Sequence, residues 1–248
     1  MPSLSAYKSS LDYSYTPGLF PSMECLLHRP SSAMRLLLHS DAESSEGAEK
    51  LRKLAEEQHV RWEHADRLLR MVSGKDNCYA AVVFRKFSDD LDPAFPHVVL
   101  HCPGDTGNIG TIMRTALGFG FEDIAFIRPC ADVFDPHTVR SSMGSLFSLR
   151  IHVFDSFDDY RALYPSHTLY PFMLRRAQSL ETVLSEPVPA QFSLVFGNEG
   201  SGLPDTFADL GRPVRIESNS RIDSLNLSVA AAVGLYTFGR KAGMTGGY

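Results

Sequence analysis

Leu194-Val195-Phe196-Gly197-Asn198-Glu199-Gly200-Ser201-Gly202-Leu203 joins an unbroken apolar run to a segment in which glycine returns every two or three places. An unbroken apolar run suits a strand buried on both faces of a parallel sheet. Glycines at its end permit tight turns and let a ligand approach the backbone. Similar apolar runs occupy residues 98–101, 124–127, 151–154, 169–174 and 214–216, with helical patterns between them. Strand-then-helix alternation predicts an α/β domain with a parallel sheet covered on both faces. Ligand sites in such sheets lie beyond the carboxyl ends of the strands. Two more polar segments occupy that position, Asn108-Ile109-Gly110-Thr111-Ile112-Met113-Arg114 after the first run and Ser224-Leu225-Asn226-Leu227-Ser228 after the last. All three can converge on one edge.

In the first of these, Asn108 reads as a helix N-cap. Ile109, Ile112, Met113, Ala116 and Leu117 then recur with helical period and form a core stripe. Arg114 projects about 140° away from Ile109 and leans back over Gly110. That placement suits an anion such as RNA phosphate near a helix N-terminus, although an exposed arginine beside a packing glycine gives the same pattern. In the glycine loop, Glu199 has a second, lesser reading as the cap of a following helix. The last segment reads as an ordinary C-terminal helix capped by Asp223 or Ser224.

Together, N-x-G-x-x-x-R-T-A at 108–116, G-N-E-G-S-G-L at 197–203 and S-L-N-L-S-V-A at 224–230 resemble the three motifs of the SpoU (TrmH-like) RNA ribose 2'-O-methyltransferases of the SPOUT superfamily. The resemblance covers His97 to about Tyr236. It implies a parallel-sheet domain closed by a deep trefoil knot and S-adenosylmethionine as cofactor. Its implied partners are structured RNA, ribosomal in preference to transfer RNA, and a second copy of the chain in a homodimer. It assigns catalysis to Arg114, Glu199 and Asn226. Cofactor contacts fall to Phe196, Gly197, Asn198, Gly200, Ile216, Ser224 and Leu225, and RNA contacts to Asn108, Arg114 and Arg140. Glu217 and Ser218 depart from the pattern, since many relatives carry proline and methionine there. Arginine is protonated at any working pH. Arg114 therefore suits positioning of the phosphate and stabilisation of a developing alkoxide better than removal of the proton.

The 248 residues suffice for two domains. Lys86-Phe87-Ser88-Asp89-Asp90-Leu91-Asp92-Pro93-Ala94-Phe95-Pro96 breaks both periodicities, which suggests a domain over 1–88, a linker over 89–96 and a methyltransferase-like domain over 97–248. The first part shows an apolar-periodic run at 23–27, strands at 34–38 and 80–84, and helices at 46–58 and 65–71. The 46–58 helix carries Leu51, Leu54 and Ala55 on one face. This is a small α/β domain without a catalytic-looking cluster, similar to the substrate-binding domain of some family members. Residues 239–248 read as a mobile glycine-rich tail.

A net charge of −5 excludes a grip on nucleic acid by bulk electrostatics and leaves contacts by individual residues. From His97 onward eleven arginines stand against Lys241 alone, a bias toward the side chain that grips phosphate in a planar fork. Four scattered cysteines and nine dispersed histidines suggest reduced thiols and no metal. No apolar run reaches the roughly 18 to 20 residues of a membrane helix. The N-terminus has no basic start followed by an apolar block, so the expected location is cytoplasmic. Two other functions fit part of the pattern. One is a SPOUT-like RNA-binding protein without catalysis. The other is a nucleotide-dependent enzyme, for which the glycine loop lacks both the G-x-G-x-x-G fingerprint and the P-loop lysine.

Overall fold

The computed structural model describes residues 4–42, 45–73, 78–219 and 221–244. The chain divides into two compact units, one of residues 1–87 with 132–148 and the other of 88–131 with 149–248.

The first unit contains β1 (Tyr13–Tyr15), α1 (Leu19–His28), β2 (Ala33–Leu38), α2 (Glu46–Glu57), β3 (Trp62–His64), α3 (Asp66–Ser73) and β4 (Ala80–Arg85). Its sheet has the order β1-β4-β2-β3. The apolar runs of β2 and β4 form its centre, whereas β1 and β3 are three-residue strands that the sequence reading did not contain. Ser45 caps α2 through Ala48 N–H. That helix buries Ala48, Leu51 and Ala55, close to the expected face.

The second unit begins with β5 (His97–His101), α4 (Thr106–Gly118) and β6 (Asp123–Ile127). The chain then supplies α5 (Pro136–Ser141), which belongs to the first unit. Phe134 and Phe147 hold this segment by packing on Phe84, with ring centroids 6.3 and 5.0 Å apart. A continuous second domain over 97–248 is thus corrected, because residues 132–148 pack with the first. The second unit resumes with β7 (Arg150–Phe154), α6 (Phe157–Leu163), β8 (Thr168–Pro171), β9 (Gln178–Ser179), α7 (Leu180–Ser185), β10 (Phe192–Phe196), β11 (Val214–Arg215) and α8 (Leu227–Lys241). The last helix includes Gly239 to Lys241, so the expected tail starts later than 239, and residues 245–248 of that reading lie outside the described residues.

The main sheet has the order β7-β6-β5-β10-β8 and is parallel throughout. The chain moves outward from β5 through β6 and β7, then fills the other side with β8 and β10. The order therefore reverses between β5 and β10, the topological switch point at which ligand crevices form. Expected strand 214–216 does not join this sheet. Val214–Arg215 pairs instead with Gln178–Ser179 in a separate ladder, and Val214 bridges Phe172.

Candidate functional site at the sheet's switch point

Beyond the carboxyl end of β5 the chain turns into α4. The cap is Asp105, in extended conformation, with its carboxylate accepting from Asn108 N–H. Such a cap contributes about 1 kcal/mol. The expected cap, Asn108, lies instead inside the first turn, which frees its side-chain amide for other work. Ile109, Ile112, Met113 and Ala116 are buried as the stripe predicts. Gly110, beneath the expected path of Arg114, is buried as well. Arg114 is exposed and makes no hydrogen bond or ion pair with a described residue.

Beyond β10 the glycine loop doubles back. A Cβ on Gly197 would stand 2.3 Å from Gly202 C and 2.4 Å from Leu203 N, so only glycine fits there. Asn198 organises the turn. Its Oδ1 accepts from Gly200 N–H at 2.9 Å and Ser201 N–H at 3.1 Å, and its Nδ2 donates to Cys102 O at 2.9 Å.

Glu199 caps nothing that follows it. It reaches across to α4, accepting from Gly104 N–H at 2.9 Å, Asp105 N–H at 3.1 Å and Asn108 Nδ2 at 3.3 Å. Partial burial opposes its charge, but hydrogen bonds led by that from Gly104 prevail and hold the carboxyl below its usual value. Asn108 Oδ1 in turn accepts from Asn226 Nδ2 at 3.2 Å. Asn226, not Asp223 or Ser224, is the N-cap of α8, through Ser228 N–H at 2.8 Å and Val229 N–H at 3.4 Å. One relay, Glu199–Asn108–Asn226, therefore ties together the three segments singled out in the sequence.

Beside the relay lies a cleft of about 430 Å³, within the ~300–1,000 Å³ of small-molecule sites. All seven residues expected to contact a cofactor, Phe196, Gly197, Asn198, Gly200, Ile216, Ser224 and Leu225, line it, as does Glu199. Glu217 does not, while its neighbours Ile216 and Ser218 do. The rings of Phe172 and Phe196 stack at 4.4 Å. They lie against α8 where Gly234 is bare, since a Cβ there would meet Phe172 Cζ at 2.7 Å. Asn108, Arg114 and Asn226 are not among the lining residues, and Arg140 sits in α5 of the other unit. The sequence reading missed Phe172, Met173 and Arg175, which line the cleft beyond β8. β8 ends at Pro171, and the stretch after it crosses from the main sheet to the small ladder, Phe172 N–H donating to Val195 O at 2.8 Å and Met173 N–H to Val214 O at 2.9 Å. Among the described residues no three histidine, cysteine, aspartate or glutamate side chains gather as metal ligands, and no helix is long and apolar enough to cross a membrane.

A sequence model of the SpoU rRNA methylase family matches residues 96–236. The chain is 32% identical over 167 residues to a 23S rRNA (uridine(2479)-2'-O)-methyltransferase of Streptomyces viridochromogenes, covering 60% of this chain and 55% of that relative. It is 30% identical over 138 residues to a 23S rRNA (guanosine(2553)-2'-O)-methyltransferase of Bacillus subtilis, covering 53% of each. The chain thus spans about half the length of these curated relatives. Among solved structures, the SpoU methyltransferase AviRb from Streptomyces viridochromogenes in complex with AdoMet is similar with a TM-score of 0.79 and 26% identity, over 92% of this chain and 90% of that one.

Proposed function

The chain belongs to the SpoU rRNA methylase family, and from that premise we propose that it transfers the methyl group of S-adenosylmethionine to a ribose 2'-hydroxyl of structured RNA, ribosomal in preference to transfer RNA. The observation that carries this reading is the Glu199–Asn108–Asn226 relay beside a cleft of nucleoside size. The RNA class rests on the 23S rRNA activities in the names of the two relatives.

The residues present fit the cofactor. Phe172, Phe196, Leu203 and Leu227 give apolar walls for a purine, while Asp205, Asp223 and Ser224 give polar groups for hydroxyls and an ammonium. Bound there, S-adenosylmethionine supplies a methyl carbon activated by a sulfonium. The chain has to position the hydroxyl against it and exclude water. Glu199 has its carboxylate filled by N–H donors, so it holds the α4 entry in place and is poorly suited to accept a proton. Asn226 faces the same junction and orients the ribose. Arg114 receives the phosphate and stabilises the developing alkoxide.

Arg114 lies outside the cleft lining of its own chain, as expected for a residue that completes the cleft of a second copy. The exposed apolar side chains Val229 and Tyr236, seven residues apart on α8, give such a dimer its contact face. The homodimer, the deep trefoil knot at the cleft, RNA binding by the first unit with Arg140, and a cytoplasmic location complete the proposal. The test is to map 2'-O-methyl sites in ribosomal and transfer RNA from cells with and without the gene. Loss of one ribosomal site is the expected result, and an unchanged map would overturn the reading. A cleft that binds no S-adenosylmethionine by calorimetry would favour an RNA-binding protein without catalysis.

A further inference from the structure

Two adjacent arginines follow β8 and point to different tasks. Arg176 has positive φ (54°), a conformation seldom adopted outside glycine and asparagine. It is held there by two bonds to the short helix at 205–209, Nη1 to Asp205 O at 3.1 Å and Nη2 to Asp209 Oδ1 at 2.5 Å. The strain of that conformation is offset by this double anchor, and the turn is fixed. Its neighbour Arg175 is presented to the cleft, which it lines, and it makes no hydrogen bond or ion pair with a described residue. Asp205 and Asp223 line the same cleft, yet Arg175 pairs with neither.

The charged groups of the cleft therefore comprise Glu199, filled by N–H donors, two aspartates and one guanidinium without a partner among the described residues. The cofactor proposed above has one anionic group, the α-carboxylate of its methionine end. A guanidinium meets a carboxylate through two parallel N–H···O bonds. We propose that Arg175 recognises that carboxylate, so that Arg176 fixes the turn and Arg175 sets which end of the ligand faces β8. This rests on the reading of the cleft as a cofactor site.

The test is calorimetry on the full chain with two probes that differ only in this group, S-adenosylmethionine and decarboxylated S-adenosylmethionine. The unaltered protein should bind the first about tenfold more tightly. Arg175→Ala should remove that preference while changing affinity for the decarboxylated probe less than about twofold, which also shows that the variant is folded. Arg175→Lys should restore part of the preference, a point charge replacing a fork. Equal weakening of both probes by Arg175→Ala would make the residue a wall of the cleft and overturn the proposal. So would an unchanged preference, including the case in which the variant loses affinity for RNA instead and Arg175 is a phosphate contact. If the unaltered protein binds neither probe, the cofactor reading itself fails and the proposal falls with it.

Discussion

The two edges of the five-stranded sheet handle polar groups in opposite ways. At the amino ends they are buried and paired. Asp123, fully buried, receives Arg150 Nε and Nη2 at 2.6 Å each and Asp92 N–H at 2.8 Å. His97 and His167, with ring centroids 4.2 Å apart, each direct Nε2 at a carbonyl, of Asp92 at 2.9 Å and Pro93 at 3.0 Å. Their Nδ1 atoms face Tyr160 Oη and Ser193 Oγ, which touch at 2.6 Å. This network clamps residues 91–93 to the sheet. At the carboxyl ends, Glu199 is satisfied by N–H donors, but Arg114 and Arg175 are exposed and unpaired among the described residues, and the glycine loop borders a cleft. Satisfied polar groups rigidify a scaffold, whereas charge left without a partner at a crevice is available to a ligand.

Removing a group from each edge should separate these roles. Arg114→Ala should lower methyl transfer by about 10³-fold or more with S-adenosylmethionine affinity and melting temperature unchanged, because Arg114 has no partner to lose. Equal turnover under saturating RNA would remove Arg114 from the mechanism. Co-expressing this variant with a Gly197→Val chain sharpens the point. If Arg114 acts on a second copy, random pairing restores about a quarter of the activity in mixed dimers, and if it acts on its own chain, nothing is restored. At the opposite edge, Arg150→Ala leaves a buried carboxylate without its counter-charge. It should cost about 3 kcal/mol in urea unfolding, the low end for a broken buried pair because Arg150 is partly exposed.

The comparison also explains what could be read from the sequence. The central strands were legible because burial on both faces demands unbroken apolar runs, and β5, β6, β7 and β10 fall within a residue or two of the expected spans. The caps were displaced because a cap is decided by local backbone conformation. Asp105 and Asn226 are extended at the helix entries, and that puts their side chains, not those of Asn108 or Ser224, on the first free N–H groups. β1 and β3 are too short to show a period. Arg175 could not be distinguished because its direction depends on Arg176 reaching Asp209, 33 residues away. The histidine pair was hidden for the same reason, since His97 and His167 stand 70 positions apart in the chain and their rings touch. Assignment of residues 132–148 to the first unit rests on Phe134 and Phe147 meeting Phe84, which no periodicity encodes.

Glu199→Gln tests whether the relay belongs to the scaffold or to the chemistry. The glutamine amide would turn a donor toward the N–H groups of Gly104 or Asp105, leaving one donor without an acceptor. A loss of about 2 kcal/mol in stability is expected, with turnover falling while affinity for S-adenosylmethionine changes little. If stability is unchanged, the carboxylate is not what holds the α4 entry. If cofactor affinity falls in proportion to turnover, Glu199 acts on the bound cofactor and not through the α4 entry.

The smallest expected effect separates His97 from Glu199 by pH. Burial, opposed by the bond to Asp92 and reinforced by the facing His167, lowers the pKa of His97 from 6.5 to about 4. Burial lowers that of His167 as well, and that of His101 at the carboxyl end of β5. Asp123 and Arg150 face the pair and act in opposite senses on His97. A depressed imidazole pKa means that the unfolded chain binds more protons below 6.5. The stability contribution is therefore complete above about pH 6.5 and declines as pH falls toward 4. Glu199, whose pKa is also lowered, begins to lose its contribution only near the usual carboxylate value. Urea midpoints should therefore fall in two stages, the first between pH 6.5 and 5 and on the order of 1 kcal/mol. His97→Gln, whose amide can still donate to Asp92 O, should reduce that first stage, and Glu199→Gln should leave it intact. A first stage that survives His97→Gln unchanged would show that His97 is not the group through which the protein senses mild acid.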